Sequence, residues 1–293
     1  MQGSLGKGPF TFLISLMMKV SIQGEAGSFH EVAALDFFVD EKVEILPCAT
    51  FDRTVEAARN GEVDFAVMAI ENARAGSILS NYTLIRESGL KILGEVNLRI
   101  IQNLMALPGQ TLSDIREIHS HPIAFSQCMA FLNQHHNIVL VESDDTAASA
   151  REISEKKLKG IAAIASAHAA EMFGLEILAP GIETYKMNYT RFVILGSEGK
   201  IDIKGNKLSV CFMVDHAPGS LAAVLVKLAE MKINLTKIQS VPYLNGSWRY
   251  LFYLDLELPD NVTAARVREE LIHYTTNLEV LGVYKKGDQI YES

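Results

Sequence analysis

The chain has 293 residues, 48% of them hydrophobic and 21% charged, enough for two or three compact units and too apolar for wholesale disorder. Its net charge is −8, with 35 acidic residues against 27 basic ones and no basic cluster, which argues against nucleic acid as a partner. An anionic small molecule stays open, because a few buried cations can dominate a cleft.

Residues 1–17 join a small polar stretch to a short apolar run from Phe10 to Met17. The run is too short to span a membrane, and no small-residue cleavage site follows it. It reads as a disordered extension ahead of a second start at Met17-Met18, with a weak export signal as the alternative. Strands are expected at 19–23, 43–47 and 65–70, alternating with helices at 29–38 and 51–60. The stretch 65–70 is continuously apolar, the mark of a strand buried on both faces, and the alternation predicts a largely parallel sheet flanked by helices. A second block has strands at 92–101, 103–107, 115–120, 138–141 and 162–166, with helices at 124–135 and 147–156. The chain returns through a strand at 188–195. Two α/β lobes result, 18–95 with 175–196 and 96–174, and a cleft between lobes is a usual place for a small molecule.

A glycine- and charge-rich linker, 197–206, precedes a last unit at 207–287. There, strands at 207–216, 235–243, 248–258 and 278–285 alternate with helices at 220–232 and 262–275. Asn245-Gly246 marks the hairpin between the two middle strands. The order βαββαβ is that of a ferredoxin-like plait. Cys48, Cys128 and Cys211 are odd in number and far apart, so they form neither a disulfide framework nor a zinc site, and free thiols suit a cytoplasmic setting. No stretch reaches membrane length.

Polar residues at strand ends are the candidates for chemistry. The turn holding Gly24, Gly27, Ser28 and Phe29 opens a helix whose amides can bind a carboxylate, or it is a plain strand-to-helix turn. It lacks the lysine ending of a P-loop. Glu71 and Asn72 close the buried strand where ligand crevices open, and Glu71 can equally cap a neighbouring helix. His121 follows a strand, with Gln127 six residues on. With His119 it makes only two ligands, so a metal is not expected. Asp145 and Thr146 start a helix, where a cap is the ordinary role. The stretch from Asn188 to Phe192 offers a hydroxyl at Thr190, a planar cation at Arg191 and an apolar wall at Phe192.

Taken together these motifs resemble the prephenate dehydratase family. The match is carried by Gly24, Gly27, Ser28 and Phe29; Ile70-Glu71-Asn72; His121-Pro122 with Gln127; Asp145-Thr146-Ala147-Ala148; and Asn188 with Thr190-Arg191-Phe192. The C-terminal plait resembles the ACT regulatory domain. The resemblance implies a two-lobed body of the type II periplasmic-binding-protein kind over 18–196. It also implies a cytoplasmic lyase that converts prephenate to phenylpyruvate in phenylalanine biosynthesis, without cofactor or metal. Thr190, Arg191 and Phe192 would be catalytic, with Thr190 donating to the departing oxygen and Arg191 gripping a carboxylate. Gly27, Ser28, Phe29, Glu71, Asn72, His121, Gln127 and Thr146 would hold the substrate. Phenylalanine would bind the plait through Pro218, Gly219, Ser220 and Leu221 with Asn234, Leu235 and Thr236, in a homodimer or homotetramer.

Two departures stand out. Ala69 and Ala73 replace the outer residues of the family's Pro-Ile-Glu-Asn-Ser, and Val241 replaces the arginine of its Glu-Ser-Arg-Pro. The rival readings are an arogenate dehydratase and a non-catalytic binding protein of the same two-lobed fold.

Overall fold

The computed structural model describes residues 17–200, 205–244 and 248–288. The leading extension before Met17 and the Asn245-Gly246 turn lie outside the described residues.

The first lobe is built on β1 (Met18–Gln23), β2 (Val43–Cys48) and β3 (Phe65–Asn72), which run parallel in the order β2-β1-β3. Helices α1 (Phe29–Phe37) and α2 (Phe51–Arg59) make the connections. Thr50 caps α2 by accepting from the Arg53 N–H. Two-residue β4 (Gly76–Ser77) folds back on β3, and α3 (Leu79–Ser88) leads to β5 (Lys91–Arg99).

The second lobe runs through β6 (Asn103–Ala106), β7 (Glu117–Ser120), α4 (Pro122–Gln127), α5 (Met129–Leu132), β8 (Val139–Glu142), α6 (Thr146–Lys156), β9 (Ile161–Ala165), α7 (Ala167–Phe173) and β10 (Glu176–Ala179). Its sheet order is β10-β6-β9-β7-β8. The chain then returns to the first lobe as β11 (Tyr189–Gly196), antiparallel between β3 and β5. Two crossings between two α/β lobes give the type II periplasmic-binding-protein arrangement.

Three expectations need correction. The first sheet is mixed, because β11 opposes β3 and β5. The segment 175–179 stays with the second lobe, since β10 pairs with β6. The helix expected at 124–135 breaks at buried Cys128, whose φ of −106° and ψ of 12° separate α4 from α5. Helices α3 and α7 and strands β4 and β10 were not expected at all.

Strand β3 is buried on both faces. Phe65, Val67 and Ala69 pack toward α1, whereas Ala66, Met68 and Ile70 pack toward α2 and α3. Opposite β11 its register slips: Thr190 faces Asn72 and Arg191 faces Glu71, but Phe192 faces Ala69. Ile70 is thus the extra residue of a β-bulge. The bulge lets Ala69 and Asn72, three apart, reach the same side as Thr190 and Phe192, and it turns Glu71 and Arg191 to the other.

The third sheet is the expected plait. β12 (Lys207–Met213), α8 (Ser220–Glu230), β13 (Asn234–Leu244), β14 (Trp248–Glu257), α9 (Ala264–Leu271) and β15 (Thr276–Tyr284) follow one another, and the sheet order is β13-β14-β12-β15. Leu208, Val210, Phe212, Leu254 and Leu256 pack beneath α8 and α9. The opposite face, with Cys211, Met213, Leu251, Tyr253 and Tyr284, shares one apolar cluster with Ile70, Tyr82, Ile85 and Val193 of the first lobe. Both faces of the plait sheet are therefore covered. The fit is close at Gly282, where a β-carbon would come within 2.1 Å of the Ile92 carbonyl oxygen.

Candidate active site

A cavity of about 310 Å³ opens between the lobes where β1 and β3 end, at Gln23 and Asn72. A second chamber of about 350 Å³ adjoins it and shares Asn72, Ala75, Ile123 and Gln127.

Asn72 and Thr190 form the floor. The Asn72 Oδ1 accepts from the backbone N–H groups of Arg74 and Ala75, both at 2.9 Å. Those two donors fix the amide orientation, so Nδ2 is the atom that faces β11. It donates to Thr190 Oγ1 at 2.9 Å and to Asn188 Oδ1 at 3.0 Å. The Thr190 oxygen is thereby an acceptor, which leaves its O–H proton to donate into the cavity. Thr190 is 8% exposed. Its β-branched side chain on a paired strand holds the hydroxyl in one place.

Gln127 also lines the cavity, with its Oε1 accepting from Gln102 Nε2 at 3.0 Å. The Gln102 backbone N–H donates to Glu183 Oε2 at 3.0 Å.

Helix starts supply the rim. At α1, Ser28 lines the cavity with a buried hydroxyl that has no partner. Asp145 accepts from the Ala147 and Ala148 N–H groups at α6, and His121 Nδ1 accepts from the Ile123 N–H at α4. Each is a cap as well as a wall of the cavity. The α6 and α4 starts are thus occupied by side chains, whereas the start of α1 has no side-chain cap and is the one that favours an anion. Gly27 does not line the cavity. It has a φ of +88°, and its carbonyl accepts from Ser166 Oγ at 2.7 Å across the lobes. A side chain there would press on Ala169 at 3.2 Å. Glu25 and Arg151 make a second interlobe tie at 3.3 Å.

His30 borders the cavity beside Phe192, edge to face at 5.0 Å, and its Nε2 accepts from the Ala69 N–H at 3.3 Å. Burial pushes the imidazole down to about 4, so the ring is neutral near pH 7. The donor exists because position 69 is alanine: a proline there has no N–H. The sequence reading missed His30, Gln23, Gln102 and Arg74. The alanine at position 69 was the available signal for His30, and Arg74 follows Asn72 by two residues.

Of the predicted site residues, Ser28, Phe29, Asn72, His121, Gln127, Thr146, Thr190 and Phe192 come together on this cavity. Arg191 and Glu71 do not. Neighbours on a strand point to opposite faces, and Arg191 points to the plait, bonded to Glu95, Asp255 and Tyr284. Glu71 follows it and accepts from Lys237 Nζ at 3.1 Å. Ala73 is exposed and lines neither chamber. Among the described residues no group of three His, Cys, Asp or Glu side chains could hold a metal ion.

The plait has its own cavity of about 480 Å³, lined by Pro218, Gly219, Ser220 and Leu221 together with Arg249, Tyr250 and Phe252. Asn234, Leu235 and Thr236 do not line it. Asn234 Nδ2 donates to Glu257 at 3.2 Å, and Thr236 Oγ1 to the Asp255 carbonyl at 3.4 Å. Val241 packs into the cluster between plait and body.

Residues 20–200 match the family model for prephenate dehydratase. An Arabidopsis thaliana protein named arogenate dehydratase/prephenate dehydratase 2, chloroplastic, is 37% identical over 91% of this chain and 72% of its own length. A Komagataeibacter europaeus protein, named a bifunctional N-acyl-homoserine lactone acylase/prephenate dehydratase, is 34% identical over 90% of this chain and 95% of its own. The crystal structure of an Arthrobacter aurescens prephenate dehydratase in complex with L-Phe superposes with a TM-score of 0.80 at 28% identity, covering 91% of this chain and 89% of that one. With the family model matched over residues 20–200 and the likeness to relatives running from lobe to plait, the chain belongs to the prephenate dehydratase family.

Proposed function

We propose that the chain converts prephenate to phenylpyruvate, with Thr190 as the donor to the departing ring oxygen. The observation that carries this is the Asn72 amide, which is locked so that it donates to Thr190 and leaves the threonine proton facing the cavity. In the reaction the bond from ring carbon to carboxylate breaks and CO2 leaves. The electron pair moves through the ring and expels the C4 hydroxyl, which takes a proton and departs as water. Aromatisation drives the step, so the site needs no strong base. It has to hold a dianion and stabilise charge as it develops on one oxygen. Gln127, Ser28 and the uncapped start of α1 border the cavity for the first task, and Thr190 is oriented for the second. Neutral His30 and Phe192 supply an apolar wall for the ring.

Asp144 and Asp145 line the cavity, and a carboxylate there suits an ammonium in place of the keto group, which makes arogenate the second substrate to test. The plait cavity, with a helix start and apolar side chains together, suits a small amino acid, and we assign it to phenylalanine as feedback effector. In this reading the plait is an ACT domain and the enzyme a cytoplasmic homo-oligomer. The test is product formation by the purified chain given each substrate separately. Folded protein that yields phenylpyruvate from prephenate meets the proposal, turnover of arogenate alone replaces it with the arogenate reading, and folded protein that turns over neither removes both.

A further inference from the structure

We propose that Arg191 is a positioning residue that fastens the strand bearing Thr190 to the plait, so that the plait sheet sets the place of the active-site hydroxyl. The inference rests on the reading above that Thr190 acts on the substrate.

Arg191 is buried between the first lobe and the plait. Its Nε donates to Glu95 Oε2 at 2.7 Å, Nη1 to Asp255 Oδ2 at 2.5 Å and Nη2 to the Tyr284 hydroxyl at 2.9 Å. The Asp255 carboxylate can only accept, so the Ser209 proton goes to its Oδ1, and Ser209 Oγ in turn accepts the Tyr284 proton at 2.7 Å. The hydrogen bonds thus run in one direction from the guanidinium through the plait and return to the carboxylate it is paired with. Lys207 Nζ meets both oxygens of Glu95 at 2.9 Å and completes the charge balance. Burial alone would lower the guanidinium's pKa, but Asp255, Tyr284 and Glu95 outweigh it and hold the group charged.

The fork is rigid, so three fixed partners locate the Arg191 backbone and, one residue before it, Thr190. Two of the three partners belong to the plait. Burying these charges brings little net stability over an apolar contact of the same shape, whereas the geometry it fixes is unique. β14, the strand that carries Asp255, also lines the plait cavity through Arg249, Tyr250 and Phe252, and β12, which carries Ser209 of the same circuit, leads to it at Val214 just beyond its end.

The test uses the full chain with Asp255→Asn, which keeps the shape and removes the charge. The comparison is Arg86→Gln, which weakens the same junction, at Glu279 and Tyr243, without touching Arg191. Asp255→Asn is expected to lower kcat by about tenfold or more while KM stays within about twofold, and Arg86→Gln to leave both within about twofold. Hydrogen exchange over 188–196 should be faster in Asp255→Asn and unchanged in Arg86→Gln. A folded Asp255→Asn with normal kcat and normal exchange overturns the proposal, and so does an equal loss in Arg86→Gln, which would mean that any loosening of the junction suffices. If Asp255→Asn does not fold, Tyr284→Phe removes one hydroxyl from the same circuit and is judged by the same readings. A wild-type chain without turnover would sink the functional reading alone, because the exchange measurement still decides whether Arg191 fastens the strand.

Discussion

Thr190→Val removes the hydroxyl and keeps the shape. Its cost to folding follows from the bonds that remain. Asn72 Nδ2 loses one acceptor but keeps Asn188 Oδ1 at 3.0 Å and the Tyr189 carbonyl at 3.3 Å. The expected destabilisation is about 1 kcal/mol, small beside the roughly 5–15 kcal/mol of a folded domain. The cost to catalysis is larger. One preorganised donor aimed at a developing oxyanion contributes about 10²–10³-fold in kcat. Since the interaction strengthens as the carbon–oxygen bond breaks, kcat should fall and KM should hold. Thr190→Ser returns the hydroxyl without the β-branch, so it should recover to within about tenfold of the wild type. Steady-state formation of phenylpyruvate, with thermal unfolding as the check on folding, reads all three proteins. A folded valine variant with kcat within about threefold of wild type would show that Thr190 does not meet the leaving oxygen.

Two further outcomes follow from the site and from the plait. His30 titrates near 4 in the folded protein against 6.5 unfolded, so between those values the unfolded chain binds the extra proton. Stability should therefore fall as pH drops from 6.5 to 4, by roughly 2 kcal/mol after allowance for water on the cavity side of the ring, and His30→Gln should flatten the urea midpoint over that window. L-Phenylalanine at about a hundred times its dissociation constant should raise the thermal midpoint by about 5 °C. Ala222→Phe, which fills the plait cavity, should abolish the rise, and a wild-type midpoint that never moves would end the sensor reading.

Thr190 and Arg191 show how far the sequence could be read. Both stood out in one motif, and both were expected in the cleft, although a strand sends neighbours to opposite faces. Alternation alone does not say which of the two faces the substrate. The residues that follow, Phe192 to Leu195, are apolar without a break because β11 is buried on both sides, so no amphipathic signal marks a face. The partners that decide the matter, Glu95 and Asp255, lie 96 and 64 residues away along the chain. The bulge at Ile70 was hidden for the same reason, inside a run buried on both sides. The plait was legible because its helices are amphipathic and its order regular. β10 was not: it has four residues, half of them exposed, and only its pairing with β6 makes it a strand.

With Arg191 turned away, the question is what neutralises a substrate with two carboxylates. Arg191 and Lys207 face Glu95 and Asp255, two charges against two, on the far side of β11, so this group projects little net potential into the cleft. Among the described residues lining the two chambers, Arg74 alone is a permanent cation. Its guanidinium lies 3.5 Å above the Tyr185 ring, which steers it without consuming its hydrogen-bond donors. Its backbone N–H holds Asn72, and a side-chain substitution leaves that bond in place. Arg74 is exposed, so its pull on a carboxylate should be about 1 kcal/mol and sensitive to salt. Arg74→Gln is therefore expected to raise KM about fivefold with kcat nearly unchanged. KM of the wild type should climb with ionic strength, and KM of the variant should not. If neither salt nor the substitution moves KM, the carboxylates rest on uncharged donors instead, the Gln127 amide, the Ser28 hydroxyl and the amides at the start of α1, whose fixed dipoles are far less screened.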